Sequence, residues 1–261
     1  MKPDYKNWMP KGMILGFAAA AAVCAILAGM AYGLMKDGAL RMFLTLAADA
    51  GIVICAALTA WCLALYRAFD YNGKRKMSEQ IIEGVSDHVV LPDGGVGLDV
   101  GCGSGALTIA CAKKNPNAKM VGIDRWGMEY ASFSRQLCIR NAAAEGINNA
   151  VFRKGDANRL DFADESFDAV TSNYVYHNIP SKDRKVLLRE TLRCLKKGGT
   201  FAIHDIFSKP RYGDMQKFVQ ELKDSGYAEV RLIDTADGLF MSHREASLMA
   251  LSGSGLLCGR K

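Results

Sequence analysis

Two long apolar runs open the chain, and beyond Met77 the pattern changes to short apolar segments alternating with amphipathic ones. The first run, GMILGFAAAAAVCAILAGMAYGLM over 12–35, has 24 residues and no charge. At ~1.5 Å per residue it makes about 36 Å of helix, enough to cross a hydrocarbon core of ~30 Å. The second run, over 42–66, is apolar except at Asp49. If this span begins near Met42, Asp49 lies in the membrane; if it begins beyond Asp49, the carboxylate marks the interface and about 17 residues remain, near the lower limit for a span. The segment 1–76 therefore reads as a helical-hairpin membrane anchor with a basic flank, joined through 66–77 to a domain over 77–261.

In that domain, VGLDVG (96–101), KMVGID (119–124), AVFRKGD (150–156), FDAVTSN (167–173), TFAIHDI (200–206), AEVRLID (228–234) and GSGLLCG (253–259) read as seven strands. Helical stretches are expected over 104–114, 127–145, 182–196 and near 212–224. Asn117 and Gly146 are plausible stops, and KKGG at 196–199 supplies basic residues and a glycine for a helix C-terminus. Strand–helix alternation implies an α/β fold, a doubly wound and mostly parallel seven-stranded sheet of Rossmann-like type.

Charge sharpens this division. The formal net charge is +6. Residues 1–76 hold nine Lys/Arg and four Asp/Glu, and residues 77–261 hold 24 and 23, so the domain is almost neutral. A basic face for nucleic acid is not expected there. Three Lys/Arg precede the first span, two lie between the spans and four follow the second. The positive-inside rule then puts both termini and the folded domain on the cytoplasmic side. Trp8, Trp61 and Tyr66 stand where interfacial aromatics belong. Gly29 and Gly33 have the small-xxx-small spacing that joins either the two spans of one chain or the spans of two chains in a homodimer. A cleavable signal peptide with AGMA at the cleavage site is the competing reading of the first span, disfavoured by its length and by the second span. Eight cysteines without a C-x-x-C pair suggest neither a zinc site nor a disulfide framework.

The stretch VGLDVGCGSGALTIA (96–110) carries the chemistry. Gly101, Gly103 and Gly105 follow an apolar strand and precede a helix, where glycine permits positive φ and close approach of a ligand to backbone. The spacing alone is a weak signal: the nicotinamide and flavin fingerprint G-x-G-x-x-G has its permitted alanine here at Ala106. Asp99 tips the balance, because a carboxylate at the strand end faces a pyrophosphate unfavourably but suits a cationic amine.

These residues resemble the class I S-adenosylmethionine-dependent methyltransferases, whose first motif D-x-G-x-G-x-G matches Asp99, Gly101, Gly103 and Gly105 in LDVGCGSG. The resemblance continues in order over about 78–261. It implies that Asp124 in VGIDRW binds the ribose hydroxyls with Arg125 beside it, and that Asp156 in KGDANRLDF, followed by Ala157, lies near the adenine amine. ESFDAVTSNYVYHNIP matches the fourth-strand motif and brings Asn173 to the cofactor; LRCLKKGGTFAIHDIF matches the following helix, turn and strand. Cys102 joins the cofactor set as a small filler of the turn. S-adenosylmethionine is the implied cofactor, and S-adenosylhomocysteine the product.

Methyl transfer from a sulfonium is an in-line displacement, so alignment and exclusion of water come first. A base is needed only for a nucleophile that arrives protonated. Tyr174 and His177 after the fourth strand and Asp205 after the fifth are the catalytic candidates, with His204 expected to face away from Asp205 by strand alternation. The anchor favours acceptors that partition into the bilayer: a quinone-like ring, a lipid amine or a hydrophobic thiol. The alternatives are a membrane sensor or scaffold that binds S-adenosylmethionine without turnover, and a nicotinamide-dependent oxidoreductase.

Overall fold

A computed structural model describes residues 2–127 and 132–261 and divides into two compact units, Asn7–Ser78 and Met1–Lys6 with Glu79–Lys261.

The Asn7–Ser78 unit consists mainly of two helices, α1 (Lys11–Leu34) and α2 (Ala39–Phe69). Both are long and apolar enough to cross a membrane, and their most apolar windows are not buried by protein. Leu15, Ile26, Phe43 and Val53 are among the large apolar side chains left exposed. The second helix begins earlier than the apolar run suggests. Arg41 pairs with Asp37 and lies 5.3 Å from the Tyr32 ring centroid, and both contacts hold its first turn. Asp49 lies within α2. The two helices approach at Gly51, where a Cβ would come within 2.8 Å of Cys24 Sγ. Gly29 and Gly33 do not join the two spans: a Cβ at either would meet nothing within 4 Å.

The larger unit is built on one sheet of seven strands: β1 (Val96–Val100), β2 (Lys119–Asp124), β3 (Ala150–Lys154), β4 (Phe167–Asn173), β5 (Leu195–Ile206), β6 (Ala228–Asp234) and β7 (Ser254–Arg260). Their spatial order is β3-β2-β1-β4-β5-β7-β6. The pairs among β1 to β5 are parallel, and β7 runs antiparallel to β5 and β6. The expected α/β, mostly parallel, seven-stranded architecture is therefore the one observed. Strand order reverses between β1 and β4, and ligands in such sheets bind outside the carboxyl ends at that point.

The inner strands β1, β2 and β4 are buried on both faces because helices cover both. Leu98, Val100, Ile123, Val170, Phe201, Ile203 and Leu257 are among the sheet residues of the core. Leu188 and Leu192 of α6 (Lys185–Arg193) and Phe218 and Leu222 of α8 (Met215–Asp224) pack into the same core. The helix α4 (Ala106–Lys114) approaches β2 at Gly122, where a Cβ would come within 2.7 Å of Thr108 Oγ1.

Two boundaries differ from the sequence reading. The helix expected from 127 is α5 (Arg135–Ala144), started by Ser134, whose Oγ accepts the Leu137 N–H at 3.2 Å; residues 128–131 of that expectation lie outside the described residues. The KKGG segment belongs to β5 rather than to a helix end. The Leu195 backbone pairs with Phe167 across a register shift in β4, which draws these residues into the sheet. The short helices α3 (Met77–Ser86), α7 (Lys209–Tyr212) and α9 (His243–Leu248) were not anticipated.

Candidate active site

The glycine turn folds as its composition demands. Gly101, Gly103 and Gly105 have φ of 75°, 55° and 85°, the left-handed region where other residues are strained. A Cβ on Gly101 would also come within 2.3 Å of Val175 Cγ2. The turn's donors are already in use: the Gly101 and Cys102 N–H groups bond the Ile123 carbonyl, Gly105 bonds the Cys102 carbonyl, and Gly103 bonds Asp124. A pyrophosphate needs open N–H groups at this point. Those four are spent, which argues against a dinucleotide.

Asp99 is turned inward. Its carboxyl is 1% exposed and accepts a 2.6 Å bond from Thr108 Oγ1 on α4. Burial, with the nearby Asp124 charge, pushes its pKa up to about 7. Direct contact with a bound amine is thus not its part in this arrangement; it ties β1 to α4 beneath the turn. Cys102 is buried as expected of a filler, and burial holds its thiol well above the usual range.

Asp124 closes the turn from β2. Its carboxylate accepts the Gly103 N–H at 2.9 Å and the Trp126 N–H at 2.6 Å. A carboxylate has about four acceptor sites, so capacity remains for two hydroxyls. Trp126, missed in the sequence, donates its indole Nε1–H to the Gly103 carbonyl at 2.9 Å. Its φ is 46°, set by the tight turn after β2. Arg125 is exposed, and its charge reaches Asp156 after β3. The Asp156 carboxylate accepts the Asn158 N–H and side-chain amide at 2.9 and 2.8 Å, chiefly the reason its pKa is lowered. Ala157 packs against the core. These positions share the carboxyl edge of β1 to β3, and the open Asp124 and Asp156 carboxylates beside the glycine backbone fit a ribosyl cofactor.

The expected roles of Asn173 and Tyr174 change. Asn173 Oδ1 accepts His204 Nδ1–H at 2.8 Å, which turns that end of the amide toward β5. His204 is fully buried, its Nε2 facing Thr235 Oγ1 at 2.9 Å, and burial lowers its pKa to about 3. Tyr174 has φ of 53° and its ring lies 4.6 Å from that of His204. Its hydroxyl is 2.7 Å from Ser254 Oγ, which itself donates to the Leu251 carbonyl, so the phenol is the donor. Burial drives its pKa upward. The Tyr174 phenol is thus fixed as a donor to Ser254 and disfavoured as a base.

His177 and Asp205 come together. His177 lies in a 3₁₀ turn (Tyr176–Asn178) after β4, and its Nδ1 is 2.5 Å from Asp205 Oδ1. Asp205 is fully buried and also accepts the backbone N–H groups of Ile206, Tyr176 and His177 and the Tyr212 hydroxyl. Asp205 has no exposed surface of its own, and His204 does face the other way. With Nδ1–H held by a carboxylate, the imidazole presents the lone pair of Nε2. The His177 side chain is 15% exposed, edge-on to the Tyr174 ring at 5.8 Å. Tyr212, on the unforeseen α7, is the partner that sequence reading missed.

A family profile described as a methyltransferase domain matches residues 92–242, more than half of the chain. The chain belongs to this family, the class I S-adenosylmethionine-dependent methyltransferases. Among curated relatives, the demethylmenaquinone methyltransferase of Lactobacillus johnsonii is 32% identical over 42% of this chain and 43% of its own length. The 2-phytyl-1,4-naphtoquinone methyltransferase of Thermosynechococcus vestitus is 32% identical over 51% of this chain and 56% of its own. The arsenite methyltransferase of Aquipseudomonas alcaligenes is 34% identical over 48% and 36%. The chain thus spans about half or less of the length of most of these proteins. Geranyl diphosphate methyltransferase, solved with GPP and sinefungin, superposes with a TM-score of 0.56 at 14% identity, covering 75% of this chain and 83% of that one. The [4+2]-cyclase SpnF superposes at 0.52 with 19% identity over 74% and 85%. These likenesses concern the fold, and the cyclase is a reminder that the fold by itself does not dictate the reaction.

Proposed function

We propose that the chain is a membrane-anchored methyltransferase that methylates a small lipophilic acceptor, a quinone-like ring in its reduced, phenolic form foremost. The observation that carries this reading is the His177–Asp205 pair at the carboxyl edge of β4 and β5, 2.5 Å apart and adjoining the glycine turn. A phenolic hydroxyl arrives protonated and gains nucleophilicity when the proton leaves, so a base at this place suits that acceptor. His177 Nε2 takes that proton while Asp205 holds the ring in one tautomer and offsets the charge the imidazole acquires. S-adenosylmethionine supplies, when bound, an electrophilic methyl group. Tyr174 and Val175 wall the space beside His177, and the glycine turn and Asp124 hold the cofactor.

The names of two relatives favour a naphthoquinone-type ring. The third favours arsenite, but an arsenic(III) acceptor calls for accessible thiols, and Cys102, Cys111, Cys138, Cys194 and Cys258 are all buried. The helices α1 and α2 support delivery of such a ring from the bilayer, with the domain on the cytoplasmic side as the flanking Lys/Arg suggest.

The test is incubation of the detergent-purified chain with methyl-labelled S-adenosylmethionine and either membrane lipid extract or cytosolic metabolites. Label in the organic phase is expected. Label only in the aqueous phase means that the anchor sets location rather than substrate, and no label despite cofactor binding favours a sensor.

A further inference from the structure

We infer that Asn141 is a positioning residue that ties the N-terminal segment to the cofactor turn, so that docking of residues 4–5 and binding at the cofactor site strengthen each other. The inference rests on the cofactor reading above and adds to it a control from outside the glycine motif.

The turn is gripped from α5 at two successive carbonyls. Cys138 Sγ donates to the Gly103 carbonyl at 3.2 Å, and Asn141 Nδ2 donates to the Ser104 carbonyl at 3.0 Å. Three residues apart on a helix, the two side chains share a face. Asn141 is 2% exposed, so its amide has to find partners within the protein. Its second Nδ2 hydrogen goes to the Asp4 carbonyl at 3.0 Å, and its Oδ1 accepts the Asp4 N–H at 2.8 Å. One side chain thus pairs with both backbone groups of Asp4 and with the peptide that sets the direction of the turn.

The segment carrying Asp4 is docked by more than that pair. Tyr5 is 6% exposed, and its hydroxyl donates to Glu145 at the end of α5 at 3.0 Å. The other oxygen of Glu145 accepts Lys113 Nζ of α4 at 2.6 Å. Asp4 Oδ1 accepts the Lys6 N–H at 3.1 Å and folds the segment locally. When residues 4–5 leave, Asn141 loses two of its three bonds and its amide is free to turn away from Ser104. When the turn is held rigid by a ligand, Asn141 stays aimed at Asp4. Two sites that bias one shared group are coupled, and the coupling is reciprocal.

The test uses the full chain in detergent with S-adenosylhomocysteine as the probe, read by calorimetry and by hydrogen exchange of the amides of residues 4–6. In the wild type, the probe is expected to slow their exchange. Asn141→Ala is expected to weaken probe binding by roughly 5- to 20-fold and to abolish that protection. Tyr5→Ala leaves α5 and the turn intact and is expected to weaken probe binding in the same direction, so the test survives if Asn141→Ala does not fold. Exchange at residues 4–6 that ignores the probe, or a Tyr5→Ala dissociation constant within twofold of the wild type, overturns the inference while leaving the cofactor reading standing. A wild-type chain that does not bind the probe overturns both.

Discussion

His177 Nδ1 and Asp205 Oδ1 stand 2.5 Å apart although 28 residues separate them in the chain. The carboxylate is fully buried and the imidazole is not, so the pair has one sealed end and one open end. In the function proposed above, that asymmetry would orient a base: the sealed carboxylate fixes the tautomer and the open nitrogen faces the acceptor.

Removing the base tests the assignment. His177→Ala is expected to lower kcat for a phenolic acceptor by about 10²- to 10⁴-fold, the range for a positioned general base, with the dissociation constant of S-adenosylhomocysteine unchanged. Asp205→Asn is expected to lower kcat as well, because the tautomer is lost and the Tyr176 and His177 N–H groups lose a charged partner. Label-transfer rates alongside calorimetry check both, and a fully active His177→Ala enzyme would sink the base.

Tyr174→Phe separates wall from catalyst. It removes the 2.7 Å bond to Ser254 and leaves the ring contact with His204 in place. The expected outcome is a loss of ~1 kcal/mol of stability with turnover retained within a fewfold, read by thermal unfolding and by rate. A loss of a hundredfold or more in kcat would return Tyr174 to the chemistry.

Asp124 closes the turn, and the proposed function gives it the ribose hydroxyls. Asp124→Asn keeps the shape but weakens the charge-assisted bonds to the Gly103 and Trp126 N–H groups. Bonds of that type contribute ~1.5–3 kcal/mol, so S-adenosylhomocysteine binding is expected to weaken by about 10- to 100-fold in calorimetry. An unchanged affinity would remove Asp124 from the cofactor site.

Two buried groups give stability opposite pH dependences. Asp99 titrates near 7 in the folded chain against an ordinary aspartate value of 3.8, so the folded state holds more protons between those values. Its contribution, on the order of 4 kcal/mol, is present below pH 4, declines as pH rises toward 7 and is flat above. His204 titrates at about 3 against 6.5, so the folded state holds fewer protons in that window, and its contribution is complete above pH 6.5 and lost as pH falls toward 3. Unfolding of the detergent-solubilised chain followed from pH 4 to 8 checks both. Asp99→Asn is expected to remove the decline toward neutrality, and His204→Gln the loss toward acid. Unchanged slopes in the two variants would refute the assignments.

Much of this protein is legible in the order of its residues. Short, nearly continuous apolar segments mark β1, β2 and β4, because a strand covered on both faces needs few polar positions, and two long apolar runs mark α1 and α2. Gly101, Gly103 and Gly105 disclose the turn, since a backbone with φ of 55° to 85° at three alternating positions excludes most side chains. Direction and partnership were decided elsewhere. Asp99 faces α4 because Thr108 packs over it, Tyr174 is disfavoured as a base because Ser254 arrives from β7 to hold its phenol, and Gly29 and Gly33 lie off the contact that Gly51 makes with Cys24. The His177–Asp205 pair and the Asn141 clasp depend on segments 28 and 137 residues apart. Local sequence determines which backbone conformations a segment can adopt. Only tertiary packing determines which side chains, distant along the chain, share a dry space and must satisfy one another there.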